Sequence, residues 1–285
     1  MALPTFFIIG APKAGTTSLH HYLDQHPEVQ MSAVKEPRFF AGPENGIPYP
    51  PDYVGSRSAY EALFDPSFAV RGESSTDYAT HPRRSGVPER IKEAVPEARF
   101  VYVVRDPVAR AVSHYKMGVA LLGERRPIDL ALGDPDPRSA YIAPSLYATQ
   151  LELYLAHFPQ ERILVLDQAD LLADRQTTLR EAFSFLGVDP ALDPSVFEDE
   201  LLSSESWRAY PNGYASFMAR RVAPLFRWIP TGFRRSARAA VERKLWPPIE
   251  TELDGGLRER LQERFAPEAG RLRELTGKPL AKWSV

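Results

Sequence analysis

Short apolar runs rich in β-branched and aromatic residues alternate along this chain with longer segments of helical periodicity, and this alternation constrains the fold more than any other feature. Consecutive strands separated by helix-length segments pair in parallel, since a parallel pair needs a crossover connection. The chain therefore reads as α/β, a parallel β-sheet flanked by helices on both faces, with a mainly helical C-terminal part. Strands are expected at Thr5–Ile9, Val29–Ser32, Ala69–Arg71, Phe100–Val104 and Ile163–Leu166. Helices are expected at Thr16–Leu23, Pro88–Ala94, Pro107–Leu121, Ser145–His157, Gln176–Leu186 and Leu257–Leu275. With 285 residues, no linker-like tract and no internal repeat, residues 1–285 read as one domain, in which 216–250 is a possible helical insert or lid.

The first strand runs into Gly10-Ala-Pro-Lys13-Ala14-Gly15-Thr16-Thr17-Ser18 and then into a helix. A strand, a glycine loop and a helix start form a phosphate cradle, because free backbone N–H groups and the positive helix end converge on one oxyanion. The glycine spacing resembles a P-loop and makes the sheet P-loop-type. However, Thr16 stands where a nucleotide kinase carries lysine, and the lysine lies inside the loop at Lys13. From there an ammonium reaches a bound anhydride, with the hydroxyls of Thr16, Thr17 and Ser18 around it. The plain alternative is a glycine turn capped by threonine.

A second constellation follows the fourth strand, Arg105-Asp106-Pro107-Val-Ala-Arg110-Ala-Val-Ser113-His114-Tyr115. Arg105 falls at the carboxyl end of a parallel strand, where open α/β sheets bind ligands, and Ser113 lies two turns into the next helix. A guanidinium fork with a hydroxyl suits a terminal phosphate. The plain alternative pairs Arg105 with Asp106 and leaves Ser113 exposed. Together the two constellations imply a nucleotide phosphorylated at two places.

The segments around Lys13 and around Arg105 and Ser113 resemble the 5′-phosphosulfate and 3′-phosphate signatures of the sulfotransferases that use 3′-phosphoadenosine 5′-phosphosulfate (PAPS). The likeness is greater to the heparan-sulfate-type and related bacterial enzymes than to the cytosolic phenol and steroid ones. Lys35-Glu36-Pro37-Arg38-Phe39-Phe40 is similar to the segment that carries the catalytic glutamate of that branch. Arg71-Gly72-Glu73-Ser74-Ser75-Thr76-Asp77-Tyr78 and Leu275–Trp283 resemble further stretches. The resemblance implies PAPS as donor, adenosine 3′,5′-bisphosphate (PAP) as product, and a hydroxyl or amine of a carbohydrate, glycolipid or secondary metabolite as acceptor. It gives Glu36 the role of general base and Lys13 that of neutralising the leaving phosphate. The donor contacts would be Lys13, Ala14, Gly15, Thr16, Thr17, Ser18, Arg105 and Ser113. Lys35, Arg38, Glu73 and Tyr78 would meet the acceptor side. The family's glycine- and lysine-rich lid has only Ser203–Asn212 as its nearest counterpart, which adds Arg208 and Tyr210 as nucleotide contacts. A sulfuryl group bears less negative charge than a phosphoryl group, so no magnesium clamp is expected. A P-loop kinase and a non-catalytic nucleotide-binding protein are the alternatives.

Composition narrows the partners. A formal net charge of −2 gives no bulk attraction to nucleic acid, and none is expected as a partner. The absence of cysteine excludes disulfides, thiolate metal sites and a cysteine nucleophile, and the scattered histidines show no ligand spacing, so no metal is expected. The apolar run Phe6–Ala11 is too short for a membrane span and lacks a basic leader, which points to a cytoplasmic location. Residues 216–244 hold eight Arg or Lys against one acid, Glu242. They read as a helix pair with a solvated arginine face, as a lid over an anionic or lipid-linked acceptor, or as a peripheral membrane contact.

Overall fold

The computed structural model describes residues 2–42, 53–193, 249 and 251–285. Five strands, β1 (Phe6–Gly10), β2 (Val29–Met31), β3 (Val70–Ser74), β4 (Arg99–Val104) and β5 (Ile163–Asp167), form one sheet in the order β2-β3-β1-β4-β5, and every pair is parallel. Among the described residues, the helices of at least eight residues are α1 (Thr16–Asp24), α2 (Val87–Ala94), α3 (Pro107–Met117), α4 (Tyr147–Leu155), α5 (Arg175–Leu186) and α6 (Gly255–Thr276). The expected α/β architecture is the one observed.

β1 lies at the centre, and Phe6, Phe7, Ile8 and Ile9 have no exposed surface. At about 1.5–3 kcal/mol for each side chain removed from water, this strand anchors the core. Phe7 stacks on Phe100 and meets Phe40 edge to face, which ties β1 to β4 and to the segment after β2. A Cβ on Gly72 would overlap the Phe6 ring and the Met31 sulfur, so glycine is required for β3 to lie between β2 and β1. A second cluster joins Val108, Ala111 and Tyr115 of α3 to Leu257, Leu261 and Phe265 of α6.

Two spans differ from expectation. β3 runs through Gly72, Glu73 and Ser74, beyond the apolar signal at Ala69–Arg71. The helix expected to reach Leu121 ends as α-helix at Met117 and continues as a π-type turn over Gly118–Leu122, closed by Gly123 in the left-handed region. Among the described residues, no helix is long and apolar enough to cross a membrane.

The chain leaves β1 toward the β2 edge and leaves β4 toward the β5 edge. β1 and β4 are adjacent, so the switch point of the topology lies between their carboxyl ends, where open parallel sheets form a ligand crevice. Lys13 follows one of these strands and Arg105 the other.

Candidate active site

The loop after β1 is built to present backbone donors. Gly15 caps α1 at φ 96°, a conformation that favours glycine, and no side chain caps the helix start. A helix start of this kind, with no serine or aspartate side chain capping it, is a setting in which anions bind. Thr16 is buried, while Thr17 and Ser18 are half-buried. Lys13 also has a positive φ, 71°, and its carbonyl accepts from Arg105 Nη1 at 3.2 Å. The two sequence constellations therefore meet. Burial, then the charges of Arg105 and Lys35, lower the Lys13 ammonium from its ordinary 10.5 to about 8. An anion placed among these three cations would relieve that repulsion.

Arg105 is not consumed by Asp106. Asp106 Oδ1 caps α3 through Ala109 N at 2.7 Å and Oδ2 accepts from Ser284 N at 2.5 Å, while Tyr147 Oη donates to the Arg105 carbonyl at 2.8 Å. Ser113 is 8% exposed and is brought into one cleft with Arg105. Beneath both lies Arg110, fully buried, which donates to Ser145 Oγ at 2.5 Å, to the Tyr141 carbonyl and to the Pro12 carbonyl at 3.2 Å. It braces the loop that carries Lys13. Arg110 Nη1 also meets His114 Nδ1 at 3.2 Å; a guanidinium only donates, so this imidazole is neutral and acts as acceptor. Burial and the nearby cations hold His114 well below the usual histidine range, in keeping with a packing role rather than a base. His20 is likewise lowered, to about 4, by burial and by Lys35 and His21.

Glu36 sits in the loop after β2, with its N–H bonded to the Ser74 carbonyl at the end of β3 (2.9 Å). Its carboxylate accepts from Thr76 N and from Lys35 Nζ, each at 2.8 Å. Since Lys35 also acts on Lys13, one cation links the carboxylate to the phosphate-type loop. Arg38 turns aside: its Nε lies 3.0 Å from Asp77 Oδ2 and 3.9 Å from Glu36 Oε2.

The expected acceptor contacts Glu73 and Tyr78 prove to be internal. Glu73 has no exposed surface and Tyr78 is 3% exposed, because the carboxylate is satisfied by the hydroxyls of Tyr60, Ser75 and Tyr78. They support the Glu36 segment from below instead of facing a ligand. Burial raises the Glu73 carboxyl to about 7. Arg208, Tyr210, Ser203–Asn212 and the basic stretch 216–244 lie outside the described residues.

The cleft beside Arg105 and Ser113 has a volume of about 550 Å³, and three cations that sequence reasoning missed line it: Lys116, Arg258 and Lys282. Lys116 is three residues beyond Ser113, the one signal available in the sequence; Arg258 and Lys282 arrive through the packing of α6 and the C-terminal tail. Trp283 fixes that tail, since its Nε1 donates to Asp167 Oδ2 at 3.1 Å and its ring packs on Tyr147. Among the described residues, no group of three or more His, Asp or Glu side chains is placed to hold a metal ion.

Residues 4–193 match the profile of the Sulfotransferase family. The chain is 28% identical over 211 residues to the bifunctional heparan sulfate N-deacetylase/N-sulfotransferase 2 of Bos taurus, an alignment that takes in 67% of this chain and 23% of that protein. It is 30% identical over 198 residues to heparan sulfate glucosamine 3-O-sulfotransferase 3B1 of Mus musculus, covering 65% of this chain and 46% of the relative. The chain thus spans less than half the length of either of these relatives. The crystal structure of a sulfotransferase from Alicyclobacillus acidocaldarius superposes with a TM-score of 0.72 at 26% identity, over 100% of both chains.

Proposed function

The chain belongs to the sulfotransferase family and is an enzyme of that class, and we propose that it moves a sulfuryl group from PAPS to a hydroxyl or amine of an anionic carbohydrate, glycolipid or secondary metabolite. The observation that best supports this reading is the meeting of Lys13, Arg105 and the uncapped start of α1 at the β1–β4 switch point. One phosphate-type site there would take the 5′-phosphosulfate, and the cleft of Arg105 and Ser113 the 3′-phosphate. The residues present fit such a molecule: the depressed Lys13 ammonium is surrounded by like charge, and the first α1 donors have no capping side chain.

The roles are those the family resemblance implies, and the geometry supports them. Glu36 takes the proton of the acceptor hydroxyl or amine as the new bond to sulfur forms, and Thr76 N and Lys35 hold its carboxylate in place. Lys13, in the loop after β1, would neutralise the charge that develops on the departing PAP. Positioning and charge stabilisation do most of the work, as in other loose in-line group transfers. No divalent ion is required. Lys35, which touches Glu36 and acts on Lys13, would also attract an anionic acceptor to the space between them. The two relatives are heparan sulfate sulfotransferases by name, which makes a sulfatable amino sugar the first acceptor to try.

The test is turnover. Protein incubated with PAPS and glycosaminoglycan, glycolipid and small-molecule acceptors without magnesium should release PAP and yield a sulfated product by mass spectrometry. Glu36→Gln should cut the rate by about 10²–10⁴ while PAP affinity is retained. Full turnover by Glu36→Gln would remove the glutamate from the chemistry and leave the non-catalytic reading open. A strict requirement for magnesium and ATP would return the kinase.

A further inference from the structure

Glu73 is a carboxylate with no exposed surface on β3, next to the segment that carries Glu36. Its hydrogen bonds have a direction that the backbone fixes. Ser75 Oγ lies 2.6 Å from Glu73 Oε1 and 3.0 Å from Arg38 N; Tyr78 Oη lies 2.6 Å from the same Oε1 and 3.0 Å from Phe40 N. A backbone N–H only donates, so each hydroxyl accepts from the loop amide and has its single proton left for Glu73. Both relays run from the 36–40 loop, through one hydroxyl, to one buried oxygen. The third partner, Tyr60, donates to Glu73 Oε2, and its ring stacks on Phe39 at 4.3 Å with the planes 10° apart.

Three successive loop residues, Arg38, Phe39 and Phe40, are therefore fastened to one carboxylate. The loop needs such fastening. Glu36 and Arg38 have φ of 62° and 57°, the left-handed region that costs a non-glycine residue about 1–2 kcal/mol each. Such backbone persists where its surroundings over-determine it.

We propose that Glu73 is a positioning residue for catalysis, which holds the loop carrying Glu36 in its strained conformation through the Ser75, Tyr78 and Tyr60 hydroxyls. The inference rests on Glu36 as general base. Glu73 touches neither ligand; it sets where the Glu36 carboxylate stands relative to Lys13. A misplacement of the base by about 1 Å costs on the order of 10²-fold in rate, whereas the donor grip at Lys13 and Arg105 stands on other elements.

The experiment compares Glu73→Gln with Glu73→Leu, measuring PAPS turnover and PAP affinity for each. Glutamine keeps an acceptor for the Ser75 and Tyr78 protons and turns an amide toward Tyr60, so it retains most of the turnover. Leucine leaves both protons without an acceptor, lowers kcat by about 10–10²-fold and changes PAP affinity less than about twofold. In the Glu36→Gln background the same leucine costs little more, because the residue it positions is already inactive. Should Glu73→Leu fail to fold, Tyr78→Phe with Ser75→Ala cuts both relays at the hydroxyls and is expected to give the same split between kcat and affinity. Equal damage by glutamine and leucine, parallel loss of PAP affinity, or additive losses with Glu36→Gln each overturn the proposal. Wild-type protein that binds no PAP, or Glu36→Gln at full rate, defeats the functional reading itself. A dead Glu36→Gln beside a fully active Glu73→Leu defeats this inference alone.

Discussion

Raising the pH should weaken donor binding through one group, Lys13. Its ammonium stands at about 8 because it is buried between Arg105 and Lys35, against an ordinary value of 10.5. A lowered cationic group is charged below its folded-state pKa and neutral above it. The protein that binds an anion must then recover the lost proton, so affinity falls as pH climbs past that point. The phosphate groups of PAP are fully ionised above about pH 7 and contribute no slope there. If the bound anion restores Lys13 to its ordinary range, linkage gives a roughly 30-fold loss of affinity between about pH 7 and about pH 9.5, and an uptake of about half a proton per PAP at pH ~8. Isothermal calorimetry in buffers of different ionisation enthalpy reads that proton directly. Lys13→Ala should bind more weakly at low pH and show neither the slope nor the uptake. A flat affinity profile in the wild type, with no proton taken up at pH ~8, would refute the placement of Lys13 against the ligand.

Two further outcomes are expected. Arg258→Ala with Lys282→Ala should weaken PAP binding by about 1.5–3 kcal/mol at low salt and leave AMP binding unchanged, since both line the cleft of Arg105 and Ser113 rather than the loop of Lys13; calorimetry with the two nucleotides checks this. Gly72→Ala should destabilise the fold by about 1–3 kcal/mol in chemical denaturation, as its methyl would overlap Phe6 and Met31 at the centre of the sheet.

The sheet was readable because its signals are local. Phe6–Ile9 and Phe100–Val104 are apolar runs that only a buried strand accommodates, and the glycine loop and Arg105 each follow one directly. Helices of five or six residues, such as Arg57–Glu61, Ile128–Leu132 and Gln168–Ala173, leave no signal in the sequence because so short a helix carries no periodicity. The sequence signal for β3 stops at Arg71, before the strand ends, because a glutamate after a glycine looks like a strand end. Charged side chains are seldom fully buried without partners, and the partners of Glu73 include Tyr60, which is distant in sequence. The same limit applies to Arg258 and Lys282. Their charges join the Arg105 cleft only after α6 packs on α3 and Trp283 docks on Asp167. Glu36 was legible by its likeness to a family segment, but not the loop geometry that holds it.

In the proposed reaction Lys13 and Arg105 grip one nucleotide phosphorylated at both its 3′ and 5′ positions. Calorimetric titration of PAP, AMP and ATP without magnesium tests it most directly. PAP should bind far more tightly than AMP and ATP, and Lys13→Ala and Arg105→Ala should each weaken PAP by at least about tenfold, the loss of one charge-assisted hydrogen bond. PAP binding no tighter than AMP, or unaltered in either variant, would contradict it.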